Sequence, residues 1–224
     1  MFCEFCDELL NPFNSRFAKI YSPTANNRVV AQCGNLIAMP TIGQLFPGSL
    51  LVMPMTHVET MASLPENEIS QLPSFISDLE TVIYHYGPVV AFEHGARCET
   101  GGGCGIYHAH LHLVPVPNRI SVTDILPTAV NSDPFRSAVS LIDGLRSLRH
   151  SFEYLIARDS KHNVKFIEST TSLAGQYPSQ YFRRRLTELF DLRCSWDWRT
   201  YHQPEQHLFD TINIFRNANV SLCK

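Results

Sequence analysis

Three histidines, His108, His110 and His112, alternate with Ala109 and Leu111. In an extended segment successive side chains point to opposite faces, so the three imidazoles share one surface about 6.6 Å apart. Ala109, Leu111 and Leu113 then face the core. Imidazole is neutral and nucleophilic near pH 7, and it is also a common metal ligand. The residues alone leave open a histidine-rich solvent face, an all-histidine metal site and a nucleophile. A second candidate group lies at the start of the chain, where Cys3 and Cys6 have the spacing with which two thiolates grip one metal ion; such a pair is half of a tetrahedral site. The loop from Gly95 to Gly105 is rich in glycine. Its Gly102, Gly103 and Gly105 can bring backbone N–H groups close to a phosphate.

Strands and helices must position these groups. Residues 27–32, 35–39 and 49–55 are short β-branched or apolar runs separated by Gly and Pro, which predicts an antiparallel meander. From Glu66 to Tyr86, Ile69, Leu72, Phe75, Ile76, Leu79, Val82 and Ile83 recur at helical spacing, with Pro73 marking a kink or restart. Val89–Glu93 and Tyr107–Val114 read as two further strands, the second carrying the histidines. Asp133-Pro134 predicts a helix to about Leu148, since Asp caps and Pro fits a first turn. Residues 152–157 and 164–168 flank a turn-like segment and predict a hairpin, and Pro178-Ser179 opens a helix to about Phe190. The stretch from Trp196 onward has no assignable pattern, and no internal repeat is visible.

Composition bounds the reading. With 224 residues, 44% of them hydrophobic and 17% charged, the chain is expected to be globular. A formal charge of -3 argues against a general attraction to nucleic acid or anionic membranes. No apolar run is long enough to span a bilayer and the first residues lack the pattern of a signal peptide, which gives a cytoplasmic expectation. Seven cysteines then read as thiols or metal ligands, with Cys33, Cys98, Cys194 and Cys223 expected unpaired. Three further segments carry polar groups: Glu93-His94, read as structural; Gln180 with Arg184, which could reach phosphate from a helix start; and Trp196–Arg199, read as packing.

The run Tyr107-His108-Ala109-His110-Leu111-His112-Leu113-Val114-Pro115 resembles the signature of the histidine-triad (HIT) family. Leu51–Thr60 is similar to that family's strand and turn before its long helix, and the N-terminal cysteine pair also matches. The resemblance implies an α+β, HIT-like fold, an antiparallel sheet with a long helix, over residues 1–125, and an α/β C-terminal extension over 126–224 packed on it. It implies a nucleotide hydrolase, acting on dinucleoside polyphosphates or nucleoside phosphoramidates, in which His110 attacks the α-phosphorus, His112 holds phosphate oxygens and His108 completes the triad. The alternatives are a nucleotidyltransferase of the galactose-1-phosphate uridylyltransferase type and a nucleotide-binding module with little turnover. Zinc-containing relatives imply that His57 and His108 join Cys3 and Cys6 in a structural Zn2+ site. Family members often dimerise through the long helix and central sheet. One departure stands out: Cys104 and Gly105 occupy positions where many members carry a Gln-Ser or Gln-Thr pair near the leaving group.

Overall fold

The computed structural model describes residues 3–21, 28–97, 106–127, 135–170, 177–200 and 205–218. Its centre is one eight-stranded sheet built from β1 (Ala31–Cys33), β2 (Leu36–Pro40), β3 (Leu50–Pro54), β4 (Val89–Ala96), β5 (Leu111–Pro115), β6 (Arg136–Ala138), β7 (Glu153–Arg158) and β8 (Val164–Ser169). The strand order is β1-β2-β3-β5-β4-β7-β8-β6, and each neighbouring pair is antiparallel. With its helices this makes an α+β fold, as the sequence predicts. The predicted meander is β1 to β3, with Gly34 in the left-handed region (φ +58) at the β1–β2 turn.

Every residue of β2, β3 and β7 is buried, because both faces of the sheet are covered. One face packs on α4 (Leu72–Ile83), whose Leu72, Phe75, Ile76, Leu79 and Ile83 meet Leu50, Val52, Ala91, Leu111 and Leu113. A fully buried side chain of this kind contributes roughly 1.5–3 kcal/mol. The predicted helix over 66–86 is divided: α3 (Glu66–Ile69) ends first, and α4 restarts with Pro73 in its opening turn, where a missing N–H leaves no bond unmade. Further along the same face, α6 (Leu141–Ser147) covers Tyr154, Ile156, Val164 and Phe166. The helix expected to start at Asp133 is corrected, since β6 pairs with β8 and Ser140 caps α6 by accepting from the Asp143 N–H; Asp133 and Pro134 lie outside the described residues. The predicted hairpin is β7 and β8.

A repeat that is silent in sequence exists in topology. The run β3-α4-β4-β5, with sheet order β4-β5-β3, recurs as β6-α6-β7-β8, with order β7-β8-β6. The two units share connectivity and not burial pattern, since β3 is wholly buried and its counterpart β6 is largely exposed, which is why the sequence does not reveal them. They meet where β4 pairs with β7, so β4 has a neighbour on each side.

The opposite face carries α1 (Glu4–Leu10), α2 (Arg16–Tyr21), α5 (Val122–Ile125) and α7 (Tyr181–Leu189). Phe5 of α1 packs on Ile37, Met39, Leu51 and Met53, while Phe182 and Leu186 of α7 pack on Phe92, Leu155 and Ile167. The segment without a sequence pattern includes α8 (Glu205–Ala218), whose Leu208 and Ile212 pack on Phe17. No helix among the described residues is long and apolar enough to cross a membrane. Cys33, expected as a free thiol, is disulfide-bonded. Cys3, Cys6 and Cys194 are free, and Cys98 and Cys223 lie outside the described residues. Pairing depends on a proximity that tertiary structure creates and a cysteine count does not contain.

Candidate active site and metal centre

Strand β5 starts at Leu111, so only His112 of the three histidines is on a strand; the expected strand from Tyr107 is corrected. The ladder stops because the Ala109 N–H donates to the Val58 carbonyl at 2.6 Å, outside the sheet. The alternation survives: Ala109, Leu111 and Leu113 are fully buried against the helix layer. His110 and His112 lie with ring centroids 5.3 Å apart.

Each imidazole has a distinct environment. His110 is 7% exposed and its Nδ1 donates to the His108 carbonyl at 2.5 Å. That bond puts the ring proton on Nδ1, so that in the neutral imidazole it is Nε2 that carries the lone pair a nucleophile needs. Phe5 sets its ring edge-on to both His108 and His110, fixing their planes. His112 stacks on Phe92 at 4.9 Å, and Phe92 stacks in turn on Phe182 of α7. Burial holds His112 well below the ordinary histidine range, and the neighbouring His110 and Arg183 push in the same direction. His112 is therefore neutral at pH 7.

Beneath the triad lies Glu93, read from sequence as structural. It is buried, accepts from the Met61 N–H at 2.9 Å and from the Tyr154 hydroxyl, and also receives the His110 backbone N–H. Burial raises its carboxyl to about 7 against these bonds. Its neighbour His94 pairs through Nε2 with the buried Glu153 at 2.6 Å.

Cys3, Cys6, His57 and His108 converge, each offering one ligand atom and all four atoms lying within 4.8 Å of one another. Cys3 is the N-cap of α1 and its sulfur accepts from the Cys6 N–H, so the helix turn sets the spacing of the pair. The Cys3 sulfur is 3.4 Å from His108 Nδ1; the Cys6 sulfur is 3.4 Å from His57 Nδ1 and 3.5 Å from His108 Nδ1. Tetrahedral zinc with Zn–S near 2.3 Å and Zn–N near 2.05 Å requires sulfur–nitrogen separations of about 3.6 Å, so the donor set fits that ion. His108 Nε2 donates to the Pro54 carbonyl at 2.8 Å, which turns Nδ1 toward the sulfurs. Burial lowers His108 to about 4, keeping it an unprotonated donor, whereas burial and the adjacent Cys3 raise the Cys6 thiol to about 11. A cation would reverse the second effect.

His110 and His112 line a cavity of about 320 Å³ together with Leu51 of β3, residues of α1, α2 and α7, and Trp198 and Arg199. Phe17, Tyr21, Ile42 and Trp198 give it apolar surface, and Arg16, Arg28, Arg183 and Arg199 give it cationic groups. Arg28 is 2% exposed and locked to Glu8 by bonds of 2.7 and 2.9 Å. Gln180 lines the cavity. Arg184 does not: it lies 3.5 Å over the Trp196 ring and donates to the Ser179 carbonyl. Its neighbour Arg183 takes the inward place, because Phe182, Arg183 and Leu186 form the buried side of α7. That pattern was available in the sequence, masked by three consecutive arginines. Trp198 and Arg199, read as packing, also line the cavity. Gly102, Gly103 and Gly105 lie outside the described residues.

No family model matches the chain, and no curated protein matches it. Solved structures do. Several of them are named as histidine-triad proteins. A hypothetical histidine triad nucleotide-binding protein from Sulfolobus tokodaii strain7 shares 17% identity over 51% of this chain and 68% of its own, with a TM-score of 0.39. A HIT family hydrolase from Legionella pneumophila Philadelphia 1 shares 20% over 53% and 96%, with a TM-score of 0.35. A Zn-bound histidine triad family protein from Mycobacterium smegmatis shares 17% over 62% and 93%, again at 0.35. At such identities and scores, function must be argued from the site.

Proposed function

We propose that the protein is a nucleotide hydrolase in which His110 attacks the α-phosphorus of a dinucleoside polyphosphate or nucleoside phosphoramidate. The observation that carries this reading is the His110 Nδ1 bond to the His108 carbonyl, which fixes a nucleophilic Nε2 at the edge of a cavity walled by aromatic and arginine side chains. Attack forms an N–P bond and breaks the bond from phosphorus to the leaving group. Water then breaks the N–P bond and releases a nucleoside monophosphate. Aromatic walls suit a nucleobase, and arginines suit phosphate oxygens. His112 packs beside the reacting centre as a neutral group, and Gln180 is within the same cavity. Gly102, Gly103 and Gly105 are proposed as backbone donors. A sugar phosphate in place of water would make the reaction a nucleotidyl transfer with the same first step.

Cys3, Cys6, His57 and His108 would hold a Zn2+ ion that crosslinks the N-terminus to the triad segment and leaves no open position for substrate. Through the His108 carbonyl, that crosslink supports the His110 ring. Residues 1–125 serve in this reading as the catalytic domain and 126–224 as the extension whose α7 contributes Arg183 to the cavity lining. Because β4 is flanked by β5 and β7, its edge is closed to a second copy, and a homodimer would need another face. The test is incubation of wild type and His110→Ala with dinucleoside polyphosphates, phosphoramidates and nucleotide sugars, following monophosphate release. Release by wild type alone supports the reading; equal release by both refutes it.

A further inference from the structure

The backbone of His110 lies just outside the sheet, because β5 starts at Leu111 and pairs with β4 only as far as Phe92 opposite His112. Two successive N–H groups there find acceptors other than a strand neighbour. Ala109 donates to the Val58 carbonyl, and His110 donates to the Glu93 carboxylate. A buried N–H that leaves a ladder must be satisfied elsewhere. For His110 the acceptor is a side chain, so the placement of the attacking ring depends on one carboxyl group.

Donors from three elements converge on the two oxygens of Glu93, which is buried. They are the Met61 N–H of the 3-10 turn Met61–Ser63 at 2.9 Å, the Tyr154 hydroxyl of β7 and the His110 N–H. An ionised carboxylate only accepts and so suits all of them, whereas an amide in its place turns an NH2 group toward donors. Tyr154 is fixed in turn. Its oxygen accepts from the Ala62 N–H at 3.1 Å, and its ring fills the space beside Gly95, where a Cβ would meet it at 2.3 Å. Because β7 belongs to the second structural unit, the C-terminal extension reaches the nucleophile from the side of the sheet opposite the cavity. Charge matters as well. When Nε2 bonds to phosphorus and the leaving group departs with the electron pair of its own bond, Nδ1 keeps its proton and the ring becomes cationic. The charges of Glu93 and His110 act on each other, and a nearby carboxylate favours the charged ring.

We infer that Glu93 is a positioning residue for the proposed reaction: its carboxylate, oriented by Tyr154 and the Met61 N–H, holds the His110 backbone and favours the cationic ring of the nucleotidyl-histidine. The assignment rests on the proposed function for the identity of the nucleophile, whereas the bond to the His110 N–H can be measured without turnover. Glu93 acts through His110 and leaves substrate binding to the groups that line the cavity.

The test uses full-length wild type, Glu93→Gln and Tyr154→Phe at pH 8, above the value of about 7 to which burial raises the carboxyl. Val164→Ala, in the core of the second unit, controls for lost stability alone. Thermal melting checks folding, calorimetry measures the affinity for adenosine monophosphate, and rapid-quench mass spectrometry follows adduct formation from adenosine 5′-phosphoramidate. Nuclear magnetic resonance reads the His110 amide proton, which a charged acceptor moves downfield. Adduct formation should slow by about 10²-fold in Glu93→Gln and by about tenfold in Tyr154→Phe, with nucleotide affinity held within about threefold. The His110 amide resonance should move upfield in Glu93→Gln, and Val164→Ala should keep the wild-type adduct rate. If Glu93→Gln does not fold, Tyr154→Phe decides alone. An adduct rate within about threefold of wild type in either folded variant, an unmoved His110 amide, or an equal loss in Val164→Ala would overturn the inference. An amide that moves in Glu93→Gln while wild type forms no adduct would sink the His110 reading and keep Glu93 as the anchor of that segment.

Discussion

Glu93→Gln isolates the buried carboxyl that supports the triad. In the fold its pKa is raised to about 7, with burial as the main cause, from a reference value of 4.5. A carboxyl raised on folding favours the protonated state, so its stability contribution is fully present below about pH 4.5 and is lost as pH rises through about 7. The difference of about 2.5 units, at 1.36 kcal/mol each, gives a loss of about 3 kcal/mol between those limits. Gln retains an acceptor for the Met61 N–H and cannot ionise. Urea unfolding of wild type and Glu93→Gln at half-unit steps from pH 5 to 8.5 reads the difference directly. The variant should gain on wild type as pH rises, by about 2–3 kcal/mol across the range. A gap that stays constant within about 0.5 kcal/mol would refute the reasoning, because it would mean that Glu93 does not change charge on this scale.

Other outcomes follow from the same geometry. Purified protein should carry one zinc per chain by atomic emission, and Cys6→Ser should abolish it; full zinc in the variant would contradict the ligand set. Because the Cys6 thiol sits near 11 without a cation, zinc loading of stripped protein should release protons in unbuffered solution, and no release would contradict thiolate ligation. Gly95→Ala should destabilise by a few kcal/mol, since a Cβ there meets the Tyr154 ring carbon at 2.3 Å and displaces the hydroxyl that Glu93 accepts; an unchanged melting temperature would contradict that packing.

Much of this architecture is legible in sequence because local pattern and burial agree. The apolar runs of β2 and β3, the apolar spacing of α4 and the β7–β8 hairpin appear where pattern places them, whereas β1 starts only at Ala31, near the end of the run expected over residues 27–32. Ser140 and β6 were missed because Asp133-Pro134 offers a stronger local start than a Ser cap preceded by a three-residue strand. The metal cluster joins residues up to 105 positions apart, and only the resemblance to a known family connected them. Arg183 was hidden because Arg183, Arg184 and Arg185 look alike until the helix is seated on the sheet. The role of Glu93 depends on Tyr154 and Met61, which no spacing rule links to it.

The central claim is a covalent bond between His110 and a nucleotide. Rapid quenching of wild type with adenosine 5′-phosphoramidate, followed by peptide mass spectrometry at neutral pH, measures it most directly. The account predicts an adenylyl group on the peptide containing His110, absent from His110→Ala. Turnover without that adduct, or an adduct on another residue, would contradict it.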